Sequence, residues 1–113
     1  MSGWKEAFQH ELQMAAAARA RENEGQARVC ARRAAGAVVR AYFARRELAP
    51  RASNALDLLQ ALLELADLPP EARRSAEELT LRVNEAFQLP AGIDLLQAAR
   101  GLGESLFPGE LES

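Results

Sequence analysis

The chain has 113 residues and a formal net charge of −2, a length that suits a single domain (residues 1–113) with one hydrophobic core and is too short for two. It contains 24 alanines and 17 leucines but only 5% aromatic residues; these two are strong helix formers, β-branched residues are scarce, and the balance argues against a β-sandwich or barrel. The 49% hydrophobic and 27% charged fractions argue against disorder.

The first periodic segment covers residues 4–22. Trp4, Phe8, Leu12, Ala15 and Ala18 recur every three or four positions and share one helical face, with Ser2 as the expected N-cap. Asn23, Glu24 and Gly25 supply a break, because Asn and Gly tolerate the left-handed backbone that ends helices. The second segment covers residues 26–47, with Cys30, Ala34, Ala37 and Ala41 as its apolar face, widened by Val38 and Tyr42. The same phase runs back to Ala16, so periodicity alone permits one long helix. Its length of about 60 Å would be out of scale for the domain, and two helices are expected.

After a loop at 48–52, Ser53 or Asn54 caps a third helix with Asp57 in its first turn. Leu56, Leu59, Leu63 and Ala66 lie on one face of it, and Leu58, Leu62 and Leu65 on a neighbouring one. Pro69 and Pro70 separate this helix from a fourth at 71–88, whose stripe is Ala72, Ala76, Leu79, Val83 and Ala86, with Phe87 beside it. A turn at 89–92 precedes a fifth helix at 93–107, built on Leu95, Ala99, Leu102 and Leu106 and weakened locally by Gly101 and Gly103. Residues 56–61 (LDLLQA) and 93–98 (IDLLQA) echo one another as two helix starts with an acidic first turn. The expected architecture is all-α, an up-and-down antiparallel bundle of about five helices, with the second, third and fourth at its centre.

Chemistry-bearing residues are few. Cys30, among Val29, Ala31 and Ala34, reads as a buried, inert thiol that can form neither an intramolecular disulfide nor a cysteine-cluster metal site. His10, flanked by Gln9 and Glu11, reads as a surface residue. Ser53, Ser75 and Ser105 have no histidine in a suitable context, and Gly101 and Gly103 do not follow a strand, so no nucleophile and no phosphate loop is indicated. The expectation is a non-enzymatic protein with no cofactor and no metal. No apolar run is long enough to cross a membrane and no secretory signal is visible, so the cytoplasm is the expected compartment.

Charge is unevenly spread. Residues 1–51 carry ten Lys or Arg against five Asp or Glu, and residues 52–113 carry four against eleven. Arg28, Arg32, Arg33, Arg40, Arg45 and Arg46 concentrate the positive charge on the second segment, and helical phase turns Arg28, Arg32 and Arg46 the same way. They form a candidate patch for phosphate or nucleic acid. The competing reading pairs them with the acidic half of the same molecule or of a second subunit. With a pI near 5.5, the chain lacks the strongly basic balance of most nucleic-acid binders, and nucleic acid is not the expected partner.

The run from Ala27 to Gly36 (ARVCARRAAG), followed by Val38-Val39-Arg40-Ala41-Tyr42, resembles the second helix of HEPN domains, the higher eukaryote and prokaryote nucleotide-binding family. The short turn before it and the acidic-leucine start at Ala55-Leu56-Asp57-Leu58-Leu59 are also similar, so the resemblance spans roughly residues 5–107. It implies a helical bundle, often dimeric. Many members are ribonucleases that use an arginine, a polar residue and, a few residues on, a histidine. The nearest match begins at Arg82 and includes Asn84, but no histidine follows, and Ser53-Asn54 stands where another family histidine would precede the third helix. The implied role is therefore a non-catalytic module that binds a nucleotide-type ligand or a protein such as a nucleotidyltransferase. Arg82, Asn84, Arg28, Arg32 and Arg46 are the candidate ligand residues, and a symmetric homodimer on the first two helices, with Trp4 near its edge, is the expected assembly. The alternatives are a degenerate nuclease or nucleic-acid binder using the second-helix arginines, and a structural adaptor with no small ligand.

Overall fold

The computed structural model describes residues 3–81 and 92–111. Among these, the chain folds into five α-helices with no strand: α1 (Trp4–Ala20), α2 (Glu24–Arg45), α3 (Ala55–Leu63), α4 (Pro70–Leu79) and α5 (Leu95–Leu106). They pack as an up-and-down all-α bundle. Its hub is α2, which packs against α1, α3 and α5, while α4 lies on α5 and α3. The centre expected on the second, third and fourth helices thus includes α5 rather than α4.

Two helices do replace the single long one that periodicity permits. The break falls at Arg21–Asn23, with Glu22 rather than Asn23 or Gly25 in the left-handed region (φ 60°). The amides of Glu22 and Asn23 donate to the carbonyls of Arg19 (2.9 Å) and Ala18 (2.8 Å), which satisfies two of the carbonyls a helix end leaves open. The Asn23 side chain then caps α2 by accepting from the Gln26 amide, and Gly25 lies inside the helix. The same closure recurs after α2. Glu47 has φ 57°, and the amides of Glu47 and Leu48 reach Ala44 (3.0 Å) and Phe43 (2.9 Å). At the chain's start the N-cap is Gly3, without a side-chain bond; Ser2, the expected cap, lies outside the described residues.

The buried face of α1 is Phe8, Leu12, Ala15 and Ala18, as its spacing predicts. On α2 burial extends further round than the expected stripe. Ala31, Ala35, Gly36, Val39 and Phe43 are buried with Cys30, Ala34 and Val38, whereas Ala37, Ala41 and Tyr42 are half-buried. A hub helix covered by neighbours on several sides needs small residues all round, and the alanines supply them. At Gly36 a Cβ would lie 3.1 Å from the Ala55 Cβ at the start of α3, so this glycine sets how closely α3 approaches. At Gly103 a Cβ would meet Phe8 Cζ at 2.8 Å; this glycine is buried where α1 crosses α5 and is not a weak point on a solvated face.

Three local expectations change. The third helix ends at Leu63, and Leu58, Leu59 and Leu62 form its buried face; Leu56 and Ala66 are exposed. The fourth helix ends at Leu79, with Thr80 as its C-cap; Val83, Ala86 and Phe87 of the longer stripe lie outside the described residues. The two echoed starts are built differently. In α3, Asn54 caps the Asp57 amide at 2.9 Å, and Asp57 in turn accepts from the Ser53 amide and hydroxyl. In α5, Asp94 is itself the cap and accepts from Leu96 and Gln97.

The ends of α3 and α4 share one feature. Arg73 donates to the carbonyls of Leu63 (2.9 Å) and Leu65 (2.8 Å), and Arg32 donates to those of Leu79 (2.9 Å) and Leu81 (2.7 Å). Each guanidinium fork closes the C-terminal end of another helix, where open carbonyls and the helix dipole favour a cation. Helical periodicity carries no trace of such a contact, because it comes from a side chain remote in sequence or on the next element.

Candidate functional site

The second-helix arginines divide into two sets. Towards the C-terminal end of α2, Arg46 pairs with Asp67 (2.7 Å) and donates to the Tyr42 hydroxyl (2.8 Å), and Arg45 pairs with Glu110 (2.6 Å) while lying over the Phe107 ring. The Asp67 and Glu110 carboxyls are both held below their ordinary range by these guanidinium bonds. Arg19 on α1 bridges Glu24 and Asp94. Partial burial pushes the Asp94 carboxyl up, but the Arg19 guanidinium and the Gln97 and Leu96 amides outweigh it and hold the carboxyl below its ordinary value. Three of these contacts join the basic half of the chain to the acidic half, so part of the charge asymmetry is neutralised within the molecule. Arg46 is consequently not available as part of one patch with Arg28 and Arg32.

Arg28 and Arg32 share an open cleft of ≈ 660 Å³ between the start of α2, the start of α3 and the end of α4, with Asn54, Leu56, Gln60 and Leu81 also on its walls. No carboxylate among the described residues lies in ion-pair range of Arg28. Arg32 is half-buried and pinned by its Nε and Nη2 on the carbonyls of Leu79 and Leu81, which leaves the Nη1 donors unused by those carbonyls. Burial, and then the positive charge of Arg28 one turn away, lowers the Arg32 pKa. An anion placed between the two would relieve that repulsion. Leu56, 43% exposed, gives the cleft an apolar rim. Helical phase places Arg28 and Arg32 together, as found, whereas Leu56, expected on a packed face, is exposed and walls the cleft with Leu81. Arg82 and Asn84 lie outside the described residues.

The remaining candidates take simple positions. Cys30 is buried and accepts a weak hydrogen bond from Gln26 Nε2 at 3.6 Å. His10 is exposed. Among the described residues no three His, Cys, Asp or Glu side chains are grouped as metal ligands, and no helix is long and apolar enough to cross a membrane. Of the residues expected at a second-subunit contact, Phe8, Ala27, Ala31 and Ala35 are buried in the chain's own fold, and Trp4 stacks on Phe107 with ring centroids 4.3 Å apart. Compared with known proteins, the chain matches no family model, no curated protein and no solved structure.

Proposed function

We propose that the protein is a non-catalytic, HEPN-like helical module that holds a nucleotide-type ligand in the cleft between α2 and α3. The observation that carries this reading is the pairing of Arg28 with an Arg32 already fixed by the α4 carbonyls. A guanidinium whose position is set before binding loses little further freedom on meeting a phosphate, and guanidinium donors match phosphate oxygens in geometry. The Leu56 rim supplies apolar surface for a base, and Asn54 and Gln60 supply amides for sugar or base edges. Among the described residues the cleft contains one carboxylate, Asp57, whose Oδ2 is engaged by the Ser53 amide and hydroxyl.

Calorimetric titration with adenosine triphosphate at low salt (about 50 mM) tests this reading. Saturable binding that is lost in Arg28→Glu and kept in Arg46→Glu is the expected result. No heat at millimolar nucleotide, or equal loss in both variants, would overturn it.

A further inference from the structure

We propose that a second groove, along the outer face of α2, docks an acidic amphipathic helix of a partner protein. It has two lobes, of ≈ 320 Å³ and ≈ 210 Å³, which both include Arg40 and Leu58 and so run on from one another. Arg33 flanks the first lobe and Arg40 stands where the lobes meet; both are exposed, and among the described residues neither has a carboxylate in ion-pair range. Nearby, Arg32 donates to the end of α4, Arg45 pairs with Glu110, and Arg46, the C-cap of α2, pairs with Asp67.

Spacing selects the occupant. Arg33 and Arg40 are seven residues apart, about 10 Å along the helix axis, with the half-buried Ala37 between them and the exposed Ala44 one further turn on, while Gly36 is already covered by Ala55 of α3. Small residues at these positions let a second helix come close to α2, and the seven-residue interval is that of side chains facing a helix laid alongside. A partner helix with glutamates seven apart would meet both guanidinium groups, and apolar side chains between them would enter the lobes. Leu48, 43% exposed at the loop end of the groove, extends the apolar contact. A nucleic-acid strand fits this groove less well. Between the arginines its floor is apolar and small, with no exposed aromatic ring for a base to stack on.

This groove adjoins the Arg28–Arg32 cleft only at Asn54, which lines both, and neither Arg33 nor Arg40 lines that cleft, so its test is separable from that of the nucleotide reading. The full chain is titrated, by fluorescence anisotropy, with a labelled Leu/Glu amphipathic peptide having glutamates at seven-residue intervals. The same peptide with lysine for glutamate and a labelled single-stranded RNA are titrated in parallel. The acidic peptide should bind, more weakly as salt rises. Its affinity should fall at least about tenfold in the Arg33→Glu/Arg40→Glu double variant and also in Ala44→Leu, which fills a lobe without changing charge. Circular dichroism and the response to adenosine triphosphate should be unchanged in both variants. Absence of peptide binding, equal binding of the lysine peptide, tighter binding of RNA, or undiminished affinity in the double variant would each overturn the proposal.

Discussion

The two ends of α2 carry the same residue type to opposite effect. Arg45 and Arg46 face Glu110 and Asp67, are largely wet, and hold the chain's C-terminal turn and the α3–α4 connection against the bundle. Arg28 and Arg32, about four to five turns before Arg46, have no carboxylate in ion-pair range among the described residues; Arg32 gives two of its donors to the carbonyls of Leu79 and Leu81 instead. What lies opposite, rather than the arginine itself, decides whether the charge is consumed by the fold or left for a ligand. Exposed ion pairs contribute little, because water already solvates both members, whereas a charged fork on half-buried carbonyls replaces solvation those carbonyls have partly lost.

Substitutions can break this contrast, beginning with the floor beneath the Arg32 contact. Leu79, whose carbonyl receives Arg32, has a fully buried side chain. Leu79→Ala should cost about 2–5 kcal/mol in urea denaturation, as truncation of a buried leucine does; a midpoint equal to the wild type would refute the packing of α4. Next in size, Arg32→Ala should cost about 2 kcal/mol through two lost charge-assisted bonds. Arg32→Lys should recover only part of this, because an ammonium cannot reproduce the fork. Arg46→Ala, measured alongside, should leave the midpoint within the scatter of the wild type. If Arg46→Ala proved the more costly change, the contrast between the two ends would be reversed.

The turns that bracket α2 provide a change of the opposite sign. Glu22 and Glu47 both occupy left-handed backbone, a conformation that costs an ordinary L-residue roughly 1 kcal/mol or more and glycine almost nothing. Glu22→Gly and Glu47→Gly should each stabilise by about 0.5–1 kcal/mol, the gain being reduced by the larger entropy of glycine in the unfolded chain. A loss in either would mean that the glutamate side chain makes a compensating contact.

The smallest effect is that of pH on the paired end. Asp67, Asp94 and Glu110 have folded-state pKa values lowered below the ordinary range. The unfolded chain therefore binds more protons than the folded one in this window. The contribution is fully present above the ordinary carboxylate range of about 4 and declines as pH falls through the lowered values. Stability followed from pH 6 to 2 should show this decline, and it should shrink in Asp67→Asn. An undiminished decline in Asp67→Asn would show that other carboxylates carry the acid sensitivity.

The class of the fold, the helix count and the two-helix reading of residues 4–45 were legible in composition and periodicity, because alanine and leucine at helical spacing leave few alternatives. So were the exposed His10, the buried Cys30 and the common face of Arg28 and Arg32, which depend only on a helix's 3.6-residue turn. The ends of α3 and α4 were not legible, nor was the exposure of Leu56. A leucine at the edge of a short helix is buried or wet according to what packs over it, and Arg73 and Arg32 close the helix ends from outside. Tertiary structure alone also sorted the arginines. Which of Arg32, Arg45 and Arg46 meet Asp67, Glu110 or a helix's carbonyls depends on residues 21 to 65 positions away in the chain, and no local pattern encodes a contact over that separation.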